Sequence, residues 1–308
     1  MNTIVDQSAD RARLLKAVTI ASVSVAILLI LVKLFAWAKT DSVSLLATLV
    51  DSSLDLLASL INLWAVRVSL RPATREYRFG QGKVEAIAGL GQSMFVAGSA
   101  VFLLLESVRH FLDPQPLEMI GYGIVVVIIS VFMTLALVTF QYSVIRRTDS
   151  PAIKADALHY KTDLMVNLGV LLALVLVHFG WPKFDALIAM AIAGYILIGA
   201  IEIARESIQH LLDHELSEDE RFKILHTAVR HPKVLAVHDL RTRRSGGMIF
   251  IQFHLELDDH LPLVEAHAVA DHVEEEVTKL FPNAEVIIHE DPQSAVDLDV
   301  VFNRYVEE

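Results

Sequence analysis

The 308-residue chain contains no cysteine, which excludes disulfides, iron–sulfur clusters and thiolate metal sites. Any metal it binds is therefore held by imidazole and carboxylate. The chain also lacks the GxxxxGK[ST] loop of an ATP-driven pump, the HExxH pair of a zinc protease and any nucleophile constellation. No kinase or DNA-binding element, internal repeat or low-complexity stretch is visible. Basic residues are in deficit, with 26 Lys and Arg against 37 Asp and Glu and a net charge of −11. That balance argues against nucleic acid as a partner and is compatible with cations.

Apolar residues, by contrast, make up 54% of the chain and give a mean hydropathy of +0.50, a composition expected of a membrane protein. A spanning helix needs about 20 mostly apolar residues. Six segments qualify, at 15–38, 43–66, 84–108, 118–145, 159–179 and 184–209. The first follows a polar stretch with Asp6, Asp10, Arg11 and Arg13 and has no small-residue cleavage site, so it reads as a span and not a signal peptide. The fifth is strongly apolar only from Leu164 to Val177. Ser150 followed by Pro151 suits an earlier helix start, which would make residues 151–163 a helical lead-in carrying Asp156, His159 and Asp163 toward the bilayer.

Two connections are rich in positive charge, Arg67 to Lys83 and Arg146 to Lys161. The alternate connections hold one basic residue each, Lys39, Arg109 and Lys183. Positive charge stays in the cytoplasm, which predicts that both termini are on the cytoplasmic side of the membrane.

Beyond residue 212 the character changes. Residues 213–308 carry 9 basic residues against 21 acidic ones, and ten of the thirteen histidines lie at or after His210. Residues 217–230 read as a helix, 234–243 as extended, 248–257 as an alternating strand, 262–280 as a helix and 284–289 as a short strand, with a turn at Ser245-Gly246-Gly247. The αββαβ order predicts a small α+β domain. The expected organisation is a six-helix membrane domain over 1–212, an α+β domain over 213–292 and a flexible tail over 293–308.

Asp51 and Asp55 lie inside the second span, four residues apart and so on one helix face. A carboxylate near the bilayer centre costs at least ~2.5–3.5 kcal/mol, which makes it a functional candidate. The fifth span offers a second such pair, His159 and Asp163. Three carboxylates and one imidazole can ligate Zn²⁺ tetrahedrally, although Cd²⁺, Fe²⁺ and Mn²⁺ are also compatible with such a set. Metal and protons compete for these groups, which points to a metal/proton antiporter. The alternatives are structural acids paired with Lys33 or Lys161, or a membrane-anchored metal sensor that leaves the intramembrane acids unexplained.

The stretches DSVSLLATLVDSSLD, FGxGK (Phe79 to Lys83), ADALHYKTD, HDLRTR and VIIHEDP resemble the cation diffusion facilitator family, from the first span to Pro292. The resemblance implies a homodimer in the lipid bilayer that alternates between inward-open and outward-open states and exports divalent metal against protons. It assigns Asp51, Asp55, His159 and Asp163 to the transport site. It implies a cytoplasmic zinc site of His238, His254, His267, His289 and Asp291, with the aspartate bridging up to two ions. Spacing alone does not bring those histidines together. The family's inter-helix salt bridge matches Lys83 and Asp213. Its loop metal site is expected to be missing, because the aligned residues are Thr74, Tyr77 and Gln81. His210, His214, His226, His231, His260 and His272 match no ligand position.

Overall fold

The computed structural model describes residues 2–40, 43–112, 121–178 and 184–296. Lys183, the start of the expected fourth span and tail residues 297–308 lie outside the described residues. The chain divides into two compact units, one of residues 10–208 and one of residues 1–9 with 209–308.

The described residues include six long helices, α1 (Asn2–Thr40), α2 (Val43–Ser69), α3 (Val84–Leu112), α4 (Gly121–Thr148), α5 (Pro151–His178) and α6 (Phe184–Leu211). Among the described residues, five of these, all except α5, are long and apolar enough to cross a membrane. Helix α5 begins at Pro151, behind the buried Ser150, and carries polar groups through its first half. Helix α1 starts well before the apolar segment, because neither glycine nor proline interrupts residues 2–40.

Large apolar side chains face outward on several helices, among them Phe35, Phe102 and Phe132. Such a surface suits lipid and would be a liability in water. The buried positions mix apolar side chains such as Leu15, Ile153 and Ile196 with small and polar ones such as Ala152, Ser22 and Gln141. Helix α5 packs on α3 and α4 and, less extensively, on α2. Leu158 meets Val96, Ala100, Ile196 and Ala200, while Ala152 and Ile153 meet Leu15, Val18, Val66 and Val144. Gly89 on α3 approaches α5 so closely that an added Cβ would lie 3.0 Å from the Pro151 carbonyl.

Polar side chains pin the helix ends together. The buried carboxylate of Glu85 accepts from Arg11 at 3.2 and 3.1 Å, from Ser69 at 2.9 Å and from Ser150. One side chain thus holds α1, α2, α3 and the start of α5. The turn before α3 is compact, with Thr74 N donating to the Tyr77 carbonyl and Gly80 at φ +74°. Thr74 and Tyr77 are exposed there.

The second unit contains α7 (Glu218–Ala228), β1 (Ala236–Ser245), β2 (Met248–Leu257), α8 (Leu263–Leu280) and β3 (Ala284–Pro292). Ser217 and Glu220 form a capping box at the start of α7, which satisfies two amides that a helix end leaves unpaired. The strands lie in the order β1-β2-β3, the first pair antiparallel and the second parallel. A parallel partner needs a crossover, and α8 supplies it. Its apolar face (Ala266, Val269, Ala270, Val273, Val277) covers Ile251, Phe253, Leu255 and Val286 of the sheet. Strand β3 runs to Pro292, three residues beyond its expected end, because pairing with β2 continues to Leu257↔Pro292. The chain is thus an α-helical membrane protein followed by a small αββαβ domain.

Candidate metal centres

Helices α2 and α5 bring Asp55, His159 and Asp163 together. The Nε2 of His159 is 2.9 Å from an Asp55 oxygen and 3.9 Å from an Asp163 oxygen. One ligand atom from each of the three lies within 4.8 Å of the others. Asp55 and His159 are each only 7% exposed. The imidazole is boxed by the edges of the Phe95 and Tyr160 rings, with centroids 6.1 and 5.5 Å away. Its orientation is thereby set by packing as well as by the carboxylates.

Asp51, the fourth expected ligand, stands apart from this triad. It is exposed, one helical turn back on α2, within electrostatic range of Asp55, His159 and Lys33. Three of the four expected groups are thus brought together in the described conformation, and Asp51 borders them.

Behind the triad lies a polar network that was not expected. Asp156, fully buried three residues before His159, accepts from Ser22 at 2.7 Å, Gln92 at 3.1 Å and Gln141 at 2.7 Å. Tyr160 donates to the Ser22 carbonyl at 3.2 Å and shares a 2.9 Å hydrogen bond with Ser59. These bonds tie α5 to α1, α2, α3 and α4, satisfying a carboxylate that would otherwise be costly to bury. The signal was present in the sequence, as two glutamines inside apolar spans, but nothing local indicated that they converge on one carboxylate.

The second cluster lies on the sheet. Strand register pairs His238 with His254, and His254 with His289. Side chains directly opposite in a sheet share a face, so three histidines far apart in sequence form one row. Asp291, two residues after His289, reaches back across that row. Its Oδ2 is 2.8 Å from His254 Nδ1 and 3.2 Å from His238 Nε2, while its Oδ1 is 3.1 Å from His289 Nε2. A carboxylate placed between three imidazoles in this way can bridge.

Two acids missed by sequence reasoning flank the row. Glu256 is 2.9 Å from His238 Nδ1, and Asp239, at φ 49° in a bulge of β1, is 3.7 Å from His254 Nε2. The close Glu256 contact is not a well-aligned hydrogen bond, so His238 Nδ1 is a buried nitrogen without an aligned partner. Oxygen and imidazole donors with an orphaned nitrogen among them fit a divalent metal such as Zn²⁺.

His267 is not drawn into the row. It lies exposed on α8, 3.7 Å from Asp271 and 3.8 Å from Glu290. Of the other histidines, His226 stacks on Phe222 and His231 rests against His272. Burial, with His272 and Lys233 nearby, pushes the His231 pKa down. Lys83 and Asp213 belong to different compact units. Within its own unit, Asp213 takes a left-handed conformation at φ 58° and pairs with Arg243 at 3.4 Å.

Residues 19–212 match the cation efflux transmembrane domain, and residues 216–293 match the cytoplasmic domain of cation efflux proteins. The chain is 50% identical over 284 residues to the cation-efflux pump FieF of Klebsiella pneumoniae strain 342, covering 92% of this chain and 95% of that one. It is also 50% identical over 285 residues to the FieF pump of Yersinia enterocolitica, with the same coverage of both chains. Among solved structures, a zinc form of CzrB is similar at 33% identity and a TM-score of 0.26, over 28% of this chain and 98% of that one. With both domains matched in order and half of the residues shared with full-length relatives, this chain belongs to the cation efflux family of membrane transporters.

Proposed function

We propose that the protein exports Zn²⁺ from the cytoplasm in exchange for protons, working as a homodimer in a bacterial inner membrane with both termini inside. Cd²⁺, Fe²⁺ and Mn²⁺ suit the same ligands. The observation that carries the reading is the Asp55, His159 and Asp163 cluster within the helical unit. A carboxylate–imidazole set binds metal only when deprotonated, so one site can carry metal one way and protons the other. Asp51 completes a four-ligand shell when the cargo draws α2 and α5 together. Exporting a divalent ion against 100 mV costs ~2.3 kcal/mol per charge, and an inward proton flow offsets that cost.

The test is a pH series of metal affinity and proton release for wild type and His159→Asp. Affinity should rise with pH as His159 and its carboxylate neighbours give up the protons that compete with the metal. His159→Asp should shift this dependence toward lower pH and relax selectivity toward ions that prefer oxygen. Identical profiles would remove His159 from the coupling.

The histidine row on the sheet is proposed as a resident zinc site that fastens the dimer and screens the acidic domain. His238, His254, His289 and Asp291 would hold the metal, and His267, outside the row here, is assigned to the site by the family resemblance alone. The double variant His254→Ala/Asp291→Ala should lose at least about one bound zinc per chain and dissociate at higher protein concentration, because about half the donors of a four-coordinate site are gone. Transport should persist, since these residues lie outside the membrane helices. Unchanged zinc content by elemental analysis, with unchanged dimer mass, would refute the assignment.

A further inference from the structure

Lys33 lies in α1, within a run of apolar residues, and its ammonium is directed at α2. It donates to the Thr48 carbonyl at 3.1 Å and to the buried Ser52 hydroxyl at 2.5 Å. Ser52 lies between Asp51 and Asp55 in sequence, and Lys33 is within electrostatic range of Asp51 and Asp163. Among the described residues the lysine is thus anchored by neutral acceptors on the ligand-bearing helix and forms no ion pair with a carboxylate. An ammonium among apolar side chains is costly, and a lysine needed only as a tether could be replaced by a neutral donor.

We propose that Lys33 is a fixed counter-charge of the transport site, and that it sets both the valence of the cargo and the ease of its release. The inference rests on the transport-site reading above. With cargo bound, Asp51, Asp55 and Asp163 contribute three negative charges and His159 is neutral. Lys33 reduces the total to minus two, which a divalent ion cancels. A neutral loaded site can move through a low-dielectric interior, where an uncompensated charge is heavily penalised. Without Lys33 the loaded site retains one negative charge, so it holds a cation more tightly and gives it up more slowly. The Ser52 and Thr48 contacts keep the charge near the ligands without making it a competitor for their oxygens.

Three variants separate the charge from the tether. Lys33→Met removes both, Lys33→Gln keeps a donor for Thr48 and Ser52, and Lys33→Arg keeps the charge. Zinc or cadmium titration of the purified protein should give about tenfold or tighter binding for Lys33→Met and Lys33→Gln, and near wild-type affinity for Lys33→Arg. In proteoliposomes the two neutral variants should show a lowered KM together with a lowered maximal rate. A tether role would instead leave Lys33→Gln normal and lower the folded fraction of Lys33→Met. Asp163→Ala is titrated alongside. Wild-type affinity in Asp163→Ala would mean that the transport-site reading itself is wrong. Loss of binding there, with the neutral Lys33 variants unchanged in affinity, would overturn the counter-charge assignment alone.

Discussion

Replacing Asp163 or Asp55 with alanine should abolish metal movement in reconstituted vesicles while the protein stays folded. Each substitution removes one donor from a cluster whose ligand atoms lie within 4.8 Å of one another. Losing only a supporting partner of a metal ligand costs about 10–100-fold in affinity, so losing a ligand should cost at least about 100-fold. The fold should tolerate the change. Asp55 is buried with His159 as its recorded partner, and its removal relieves a carboxylate that is expensive to bury without a cation. Asp51→Ala should have a smaller effect on initial binding, because Asp51 is exposed and stands outside the triad. Its effect should appear in transport rate, where closure of the shell matters. Metal affinity measured by titration, alongside transport in the same preparations, separates these outcomes. Full transport by either Asp55→Ala or Asp163→Ala would mean that cargo follows another route.

Glu85→Ala should be among the most destabilising single changes in the membrane unit, by about 3–5 kcal/mol. The carboxylate is 1% exposed and accepts from Arg11, Ser69 and Ser150. Truncation leaves a guanidinium and two hydroxyls facing a cavity, and an uncompensated buried charge is the larger part of the loss. Glu85→Gln keeps the shape and some hydrogen bonds and should lie between the two. The double replacement Arg11→Met/Glu85→Leu should recover much of the stability, because a buried ion pair can be exchanged for apolar packing at little cost. Denaturation midpoints in detergent test this order. A Glu85→Ala protein within about 1 kcal/mol of wild type would show that water reaches the cluster and replaces its bonds.

Much of this architecture follows from patterns local to the chain. Length and apolar content nominate six spans, and among the described residues a long helix lies at each, five of them apolar enough to cross a membrane. Ser150-Pro151 marks where α5 begins, and the alternation of MIFIQFHLEL and the apolar repeat of α8 give the second unit its elements. Two i,i+4 pairs inside apolar helices were enough to nominate Asp51, Asp55, His159 and Asp163, because a helix places residues four apart on one face whatever surrounds it. In the described conformation three of the four are drawn together and Asp51 borders them. Whether Asp51 reaches His159 and Asp163 depends on how far α2 leans toward α5, and no repeat within α2 encodes that.

The cytoplasmic row shows the reverse case. His238, His254 and His289 have no informative spacing, yet strand pairing sets them side by side. Register is a relation between segments, chosen by which faces bury Phe253 and Leu255 against α8, so it became visible only when the sheet was assembled. Asp156 is the clearest example. In the sequence it is one more acid near His159, but in the folded bundle it collects Ser22, Gln92 and Gln141 from three other helices. Periodicity predicts which face of each element is apolar. It carries no information on which polar groups from distant elements will meet, because that depends on helix packing angles and strand order that many sequences can share.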